Sequence, residues 1–227
     1  MNLKEVAGIK AASYVEDGMI VGLGTGSTVH FTTVELARRV REEGLKIIGV
    51  PTSEDTRVKA SGLGIELKTV DEVDHIDVTI DGSDEVCSHN DTYYGIKGGG
   101  AALLFEKIVA INSHKNIWVV GEDKCAEEAE FGKFPLPVEV VKYGSVKVFE
   151  KLAERGYNPT FRLNNDNEKL TTDNGGYIID LHLGVIENPP ALAKELKEMV
   201  GVVEHGLFLG TTDVVIVGTE EGAKIWR

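Results

Sequence analysis

The chain of 227 residues is short of cysteine, of positive charge and of long apolar runs. Its two cysteines, Cys87 and Cys125, lie 38 residues apart. That leaves no C-x-x-C pair and no disulfide framework, and it points to a reduced compartment, the cytoplasm. No run of 18 apolar residues occurs, so no membrane-spanning helix is expected. Met1-Asn2-Leu3-Lys4-Glu5 opens an amphipathic pattern, not the apolar core of a signal peptide. With 24 Lys and Arg against 37 Asp and Glu, the formal net charge is −13. Such a chain repels nucleic acid and anionic membrane surfaces, so neither is an expected partner. The six histidines are scattered, and none has metal-ligand spacing with another His or Cys, so no metal site is expected. No Gly-x-Ser-x-Gly elbow marks a hydrolase nucleophile.

What is present is a regular alternation. Short apolar runs predict strands at Met19–Gly24, Lys46–Pro51, Ile65–Leu67, Ile76–Ile80 and Asn116–Gly121. Between them, periodic stretches predict helices at Leu3–Val15, Thr28–Glu43, Glu54–Ser61 and Ala101–Ile111. Strand–helix alternation with continuously apolar strands predicts a parallel α/β sheet. Gly132-Lys133-Phe134-Pro135-Leu136-Pro137 interrupts this texture and reads as a hinge. Beyond it the order is strand (Val138–Val141), helix (Ser145–Arg155), strands (Thr160–Leu163, Lys169–Thr171, Tyr177–Leu183) and helix (Ala191–Met199), an α+β pattern of ferredoxin-like type. Asp213–Thr219 reads again as a buried strand, returning to the first domain. The expected division is 1–131 plus 208–227 for the first domain and 132–207 for the second.

Three constellations carry chemistry. Gly22-Leu23-Gly24-Thr25-Gly26-Ser27-Thr28 follows a strand and opens a helix. Its glycines allow a sharp turn, and free N–H groups at the helix start, with the Ser27 and Thr28 hydroxyls, can hold an anion. A dinucleotide fingerprint would want glycine at position 27, and a Walker loop would end in Gly-Lys-Ser/Thr. The segment is therefore a phosphate cradle without a nucleotide signature, or a plain capped turn. Asp81-Gly82-Ser83-Asp84-Glu85 follows the run Ile76–Ile80, with three acids in five residues. Carboxylates at a strand's carboxyl end can hold a sugar hydroxyl, transfer protons or bind Mg²⁺; alternatively they form an Asx turn and a cap. Lys97-Gly98-Gly99-Gly100-Ala101-Ala102 leads into a helix carrying Glu106. The lysine can partner an oxygen that gains negative charge, and the glutamate is either a proton acceptor on a rigid element or a solvated helix residue. Thr52-Ser53 and Lys124 follow two further strands and are weaker candidates; all these loops are expected at one sheet edge.

In this order the pieces resemble the type A D-ribose-5-phosphate isomerases, ketol-isomerases of the pentose phosphate pathway. The likeness rests on Gly22–Thr28, Val50–Ser53, Asp81–Glu85, Lys97–Ala102, Glu106–Ile108 and Gly132–Val140, and then on Thr172–Asn174, Ile186–Asn188, Gly201–Phe208 and Val215–Thr219. It implies a Rossmann-like, mostly parallel α/β domain with a smaller ferredoxin-like domain, assembly as homodimers or homotetramers, and no cofactor. It implies Glu106 as the proton-transferring base and Asp81 in opening of the furanose ring. It places Asp84 and Lys97 on the substrate and its enediolate, with Gly82, Ser83 and Gly98, Gly99 and Gly100 lining the same site. Thr25, Gly26, Ser27, Thr28 and Lys124 are placed around the phosphate and sugar. The chain departs from the family pattern at Ser83, usually alanine, and at Gly121-Glu122-Asp123-Lys124, usually Asp-x-Ser-Lys. Rival readings are a sugar-phosphate sensor, a nucleotide-dependent oxidoreductase and another sugar-phosphate enzyme.

Overall fold

Apolar runs of four to six residues become strands, and the longer periodic stretches between them become helices. The computed structural model describes residues 2–226. In chain order the elements are α1 (Leu3–Ala12), β1 (Ile20–Leu23), α2 (Ser27–Glu43), β2 (Ile48–Pro51), α3 (Glu54–Gly62), β3 (Glu66–Leu67), β4 (Val78–Gly82), β5 (Glu85–His89), β6 (Thr92–Ile96), α4 (Leu103–Ile111) and β7 (Asn116–Gly121). Then follow β8 (Leu136–Val140), α5 (Ser145–Glu154), β9 (Pro159–Phe161), β10 (Tyr177–Leu181), α6 (Pro189–Glu198), β11 (Val202–His205), β12 (Leu207–Leu209), β13 (Val214–Thr219) and β14 (Gly222–Trp226). The chain divides into two units, Met1–Ser83 with Phe105–Cys125 and Gly210–Arg227, and Asp84–Leu104 with Ala126–Leu209.

The first unit holds a seven-stranded sheet of order β14-β13-β7-β4-β1-β2-β3. All its pairings are parallel except the β13–β14 hairpin at one edge. From β3 to β13 the order is the doubly wound one, with the direction of winding reversing between β1 and β4. Ligands of such sheets bind beyond the strands' carboxyl ends at that reversal. β7 and β13 are buried at every position, as strands covered on both faces must be. Val21, Leu23, Leu36, Ile80, Ile117 and Ile216 are central to the core. Each such side chain contributes about 1.5–3 kcal/mol by leaving water. Arg39 donates to the carbonyls of Ala12 and Val15 at 2.7 and 3.1 Å, satisfying the end of α1 and fixing α2 against it.

The second unit contains the β-α-β-β-α-β series β8-α5-β9-β10-α6-β11, folded as an antiparallel sheet of order β11-β8-β10-β9. This is the ferredoxin-like arrangement expected from the sequence. Beside it in the same unit, β12, β6 and β5 form a three-stranded antiparallel sheet. Leu136, Val138, Leu152, Ile179, Leu181 and Leu196 are core residues of the unit.

Three expectations need correction. Asp84–Leu104, expected in the first domain, groups with the second unit, because β5 pairs with β6 and β6 with β12, and neither with the parallel sheet. The Gly132–Pro137 stretch is not a hinge between domains: it lies inside the second unit. There Glu85 accepts from the Gly132 and Phe134 N–H groups at 2.8 and 2.7 Å, and the Pro137 carbonyl accepts from Gly206 N–H at 2.8 Å. Lys169–Thr171 makes only isolated bridges, to Leu163 and Tyr177.

Candidate active site

At the end of β1 the chain turns through Gly24, Thr25 and Gly26 into α2. Gly24 N–H donates to the Ile80 carbonyl at 2.9 Å, carrying the β1–β4 pairing one step past the strand. The next N–H, that of Thr25, donates to Asp81 Oδ1 at 3.1 Å, and Gly82 N–H donates to the same oxygen at 2.7 Å. Asp81 is buried, with 3% of its surface exposed. A Cβ at Gly24 would overlap the Asp81 carboxyl group and stand 2.5 Å from its Cα, so only glycine fits. Gly26, at φ +123°, caps α2 with its backbone alone, and no acidic residue lies in the helix's first turn. Gly26 and Ser27 are exposed, and Thr25 and Thr28 half-buried. The start of α2 thus offers N–H groups, hydroxyls and the positive end of the helix dipole toward water.

Hydroxyls support this turn from below. Thr25 Oγ1 lies 2.9 Å from Thr52 Oγ1 and donates to Ser53 Oγ at 2.7 Å. Thr56 Oγ1 donates to the Gly24 carbonyl at 2.9 Å. Ser53 also caps α3, accepting from Thr56 N–H at 3.1 Å. Lys4 Nζ on α1 donates to Ser27 Oγ at 2.9 Å. This brings a cation to the start of α2 in a very acidic chain. No local motif announces Lys4, which precedes its partner by 23 residues.

Glu106 lies on α4 and is buried, 4% exposed, which decides against a solvated helix residue. Three residues on, Val109 packs with Val50 and Ile76, so this stretch of the helix rests on the parallel sheet. Lys124 ends a short 3-10 turn after β7, at the carboxyl edge of the sheet. Its ammonium lies 4.0 Å from Asp123 Oδ2. A Cβ at Gly121 would stand 2.5 Å from Asp123 Oδ1. The Asp123 side chain is exposed, so its carboxylate can turn aside from that position.

The remaining candidates belong to the second unit. Lys97 follows β6, a strand of the three-stranded sheet, and its loop leads into α4. The lysine is buried, 2% exposed. Its N–H donates to the Gly206 carbonyl at 2.8 Å, and its ammonium stands 5.3 Å from the centre of the Phe208 ring. Gly98 adopts φ +103°, and a Cβ there would meet Leu103 at 2.8 Å. Asp84 N–H donates to Ile96 O at 2.9 Å, and Asp84 Oδ2 accepts from Gly99 N–H at 2.7 Å. Ser83 and Asp84 are half-buried, and Gly99 and Gly100 exposed. A separate cavity of about 820 Å³ in this unit, lined by Cys87, His89, Tyr94 and Phe131 among others, contains none of these residues. No group of three or more His, Cys, Asp or Glu among the described residues could hold a metal ion.

A doubly wound sheet with a turn of N–H and hydroxyl donors and a buried carboxylate at its point of reversal, in a chain with a ferredoxin-like unit, has the makings of an α/β enzyme for a small metabolite. The family model described as ribose 5-phosphate isomerase A (phosphoriboisomerase A) matches residues 48–222. Ribose-5-phosphate isomerase A of Enterococcus faecalis is 58% identical over 224 residues, covering 99% of this chain and 97% of its own. That of Lactiplantibacillus plantarum is 56% identical over 223 residues, covering 98% and 96%. The structure of ribose 5-phosphate isomerase A from Methanocaldococcus jannaschii matches with a TM-score of 0.93 at 39% identity, over 100% of this chain and 98% of that one. A D-ribose-5-phosphate isomerase in complex with phospho-erythronic acid matches with a TM-score of 0.94 at 36% identity, over 100% of both chains. The chain belongs to the ribose 5-phosphate isomerase A family.

Proposed function

We propose that the chain interconverts D-ribose 5-phosphate and D-ribulose 5-phosphate through a cis-enediolate. The observation that carries this reading is the burial of Glu106, a carboxylate held on a rigid helix in a chain whose turn at Thr25–Thr28 can grip phosphate. Binding energy from the phosphate, far from the reacting carbons, orients the sugar. The Thr25–Thr28 turn supplies N–H and hydroxyl donors for it, and Lys4 and Lys124 add positive charge.

Asp81 opens the furanose, relaying the anomeric hydroxyl proton to the ring oxygen. Glu106 then takes the proton from C2 of the open-chain aldose. As it does, negative charge builds on O1, and Lys97 with the loop amides that follow it stabilises the enediolate. Glu106 returns the proton to C1, O1 gains a proton and O2 loses one, giving the ketose. Asp84 holds a sugar hydroxyl. The protein works in the cytoplasm as a homodimer or homotetramer. The family likeness over the whole chain supports these roles, as do the chemistry and burial of Asp81, Lys97 and Glu106.

The test is conversion of D-ribose 5-phosphate by EDTA-treated wild type beside Glu106→Gln. Wild type turns over, and the variant loses about 10²–10⁴-fold in kcat while staying folded. A folded wild type without turnover would refute the reading; near-native turnover by the variant would remove Glu106 from the reaction.

A further inference from the structure

Arg162 follows β9 and is not part of any constellation described above. Its side chain is mostly buried, 16% exposed, and so is that of Asp180 on β10, 14% exposed. The guanidinium meets the Asp180 carboxylate with two bonds: Nε donates to Oδ2 at 2.9 Å, and Nη2 donates to Oδ1. The third nitrogen turns the other way. Nη1 donates to the carbonyl of Gly98 at 2.7 Å and to that of Gly99 at 2.9 Å. One planar group thus ties a strand of the ferredoxin-like sheet to the glycine loop after Lys97.

In a trans peptide the carbonyl and the following N–H point in opposite directions. With Gly98 O held toward Arg162, Gly99 N–H points away from it, where it meets Asp84 Oδ2 at 2.7 Å. With Gly99 O held toward Arg162, Gly100 N–H points away as well, on a residue exposed to solvent. Glycines flip easily, and beside the turn bond from Ala101 N–H to Gly98 O at 2.9 Å the loop holds one strained residue, Ala101 at φ +60°. A non-glycine residue in that region costs about 1–2 kcal/mol, which something must hold in place. A lysine at 162 would offer one ammonium, unable to grip a carboxylate with two bonds and hold two carbonyls.

We infer that Arg162, fixed by Asp180, is a positioning residue that sets the direction of the Gly99 and Gly100 amides in the loop carrying Lys97. It does not touch the reacting atoms. It turns the Gly99 N–H onto Asp84 and the Gly100 N–H toward the substrate side of the loop before substrate arrives. This rests on the isomerase reading for its effect on turnover, whereas the loop geometry itself does not.

Arg162→Ala and Arg162→Lys test it, with kcat and KM for D-ribose 5-phosphate and the affinity for 4-phospho-D-erythronate, whose carboxylate spreads charge as an enediolate does. Both variants are expected to stay folded and to lose about 100-fold in kcat, as when one preorganised donor is lost, with KM changed less than about threefold. Affinity for the phosphoerythronate falls with kcat. Guanidinium at sub-denaturing concentration restores part of the activity of Arg162→Ala and none of that of a control lacking Glu106. Folded variants with wild-type kcat would overturn the inference, and so would unfolding of both variants, since the pair would then be an anchor of the unit. Wild type without turnover would instead refute the isomerase reading. The clamp would then be judged by the Gly99 and Gly100 amide resonances, which it requires to shift in Arg162→Lys more than those of Gly62, a glycine of the first unit.

Discussion

Thr25 donates its backbone N–H to Asp81 Oδ1 at 3.1 Å, tying the turn after β1 to the end of β4, 56 residues on in the chain. One carboxylate oxygen thereby fixes the Gly24–Gly26 turn and its own strand end together, since Gly82 N–H shares it. The sheet reverses its winding between these two strands, so no crossover helix covers the gap where the oxygen sits.

Gly24→Ala will disturb that junction, because the added methyl overlaps the Asp81 carboxyl group. Overpacking of this kind costs about 1–3 kcal/mol, and turnover should fall further than stability does. Gly62→Ala is the contrast. Gly62 ends α3, with nothing within 4 Å of its Cβ position, and its replacement should stabilise the chain by about 0.4–1 kcal/mol. Urea midpoints and ribose 5-phosphate turnover read both. Equal behaviour of the two variants would contradict the packing described at Gly24.

Glu85 holds the Gly132–Phe134 turn through two N–H bonds in a buried place. Glu85→Ala leaves both donors without that acceptor, at about 1–3 kcal/mol each. Glu85→Gln keeps one acceptor and sets its amide N–H groups against the other donor, so its loss should be intermediate. Thermal melting orders the three proteins, and a Glu85→Ala protein as stable as wild type would show that the turn holds itself.

Glu139 gives stability a pH dependence. Burial pushes its carboxyl up from the usual 4.5, while the Thr172 hydroxyl, donating at 2.5 Å, and Asn174 pull it back only in part. The folded chain therefore binds this proton more tightly than the unfolded chain. The contribution is full below about pH 4.5 and is lost as pH rises through the raised folded value. Glu139→Gln, neutral throughout, lacks it. The difference in Tm between variant and wild type should move in the variant's favour from pH 4.5 to neutrality. A difference that stays constant, or moves the other way, would contradict the buried-carboxylate account.

Much of the fold was legible because local pattern and tertiary role agree. Ile117-Trp118-Val119-Val120 is apolar at every position and becomes a strand covered on both faces. The order of elements after Gly132 revealed the ferredoxin-like unit, since a β-α-β-β-α-β series has few ways to cover its sheet. β5 and β6 were missed: Val86-Cys87-Ser88-His89 has no clean alternation. Yet Asn90-Asp91 between them is a two-residue turn with Asn90 at φ +51°, a hairpin signal that was there to be read.

The sequence by itself determined which residues can do chemistry: the Gly22–Thr28 turn, the acids after Ile80, the lysine before three glycines, the glutamate on the following helix. Those are local facts of residue type, spacing and backbone freedom. Only the tertiary structure decided that Glu106 is buried, that Lys97 follows a strand of a three-stranded sheet, that Lys4 reaches Ser27, and that Arg162 grips Gly98 from 64 positions away. A helix position becomes buried, and a side-chain donor finds its carbonyl, only when the chain brings distant segments together, and spacing along the sequence carries no record of that distance.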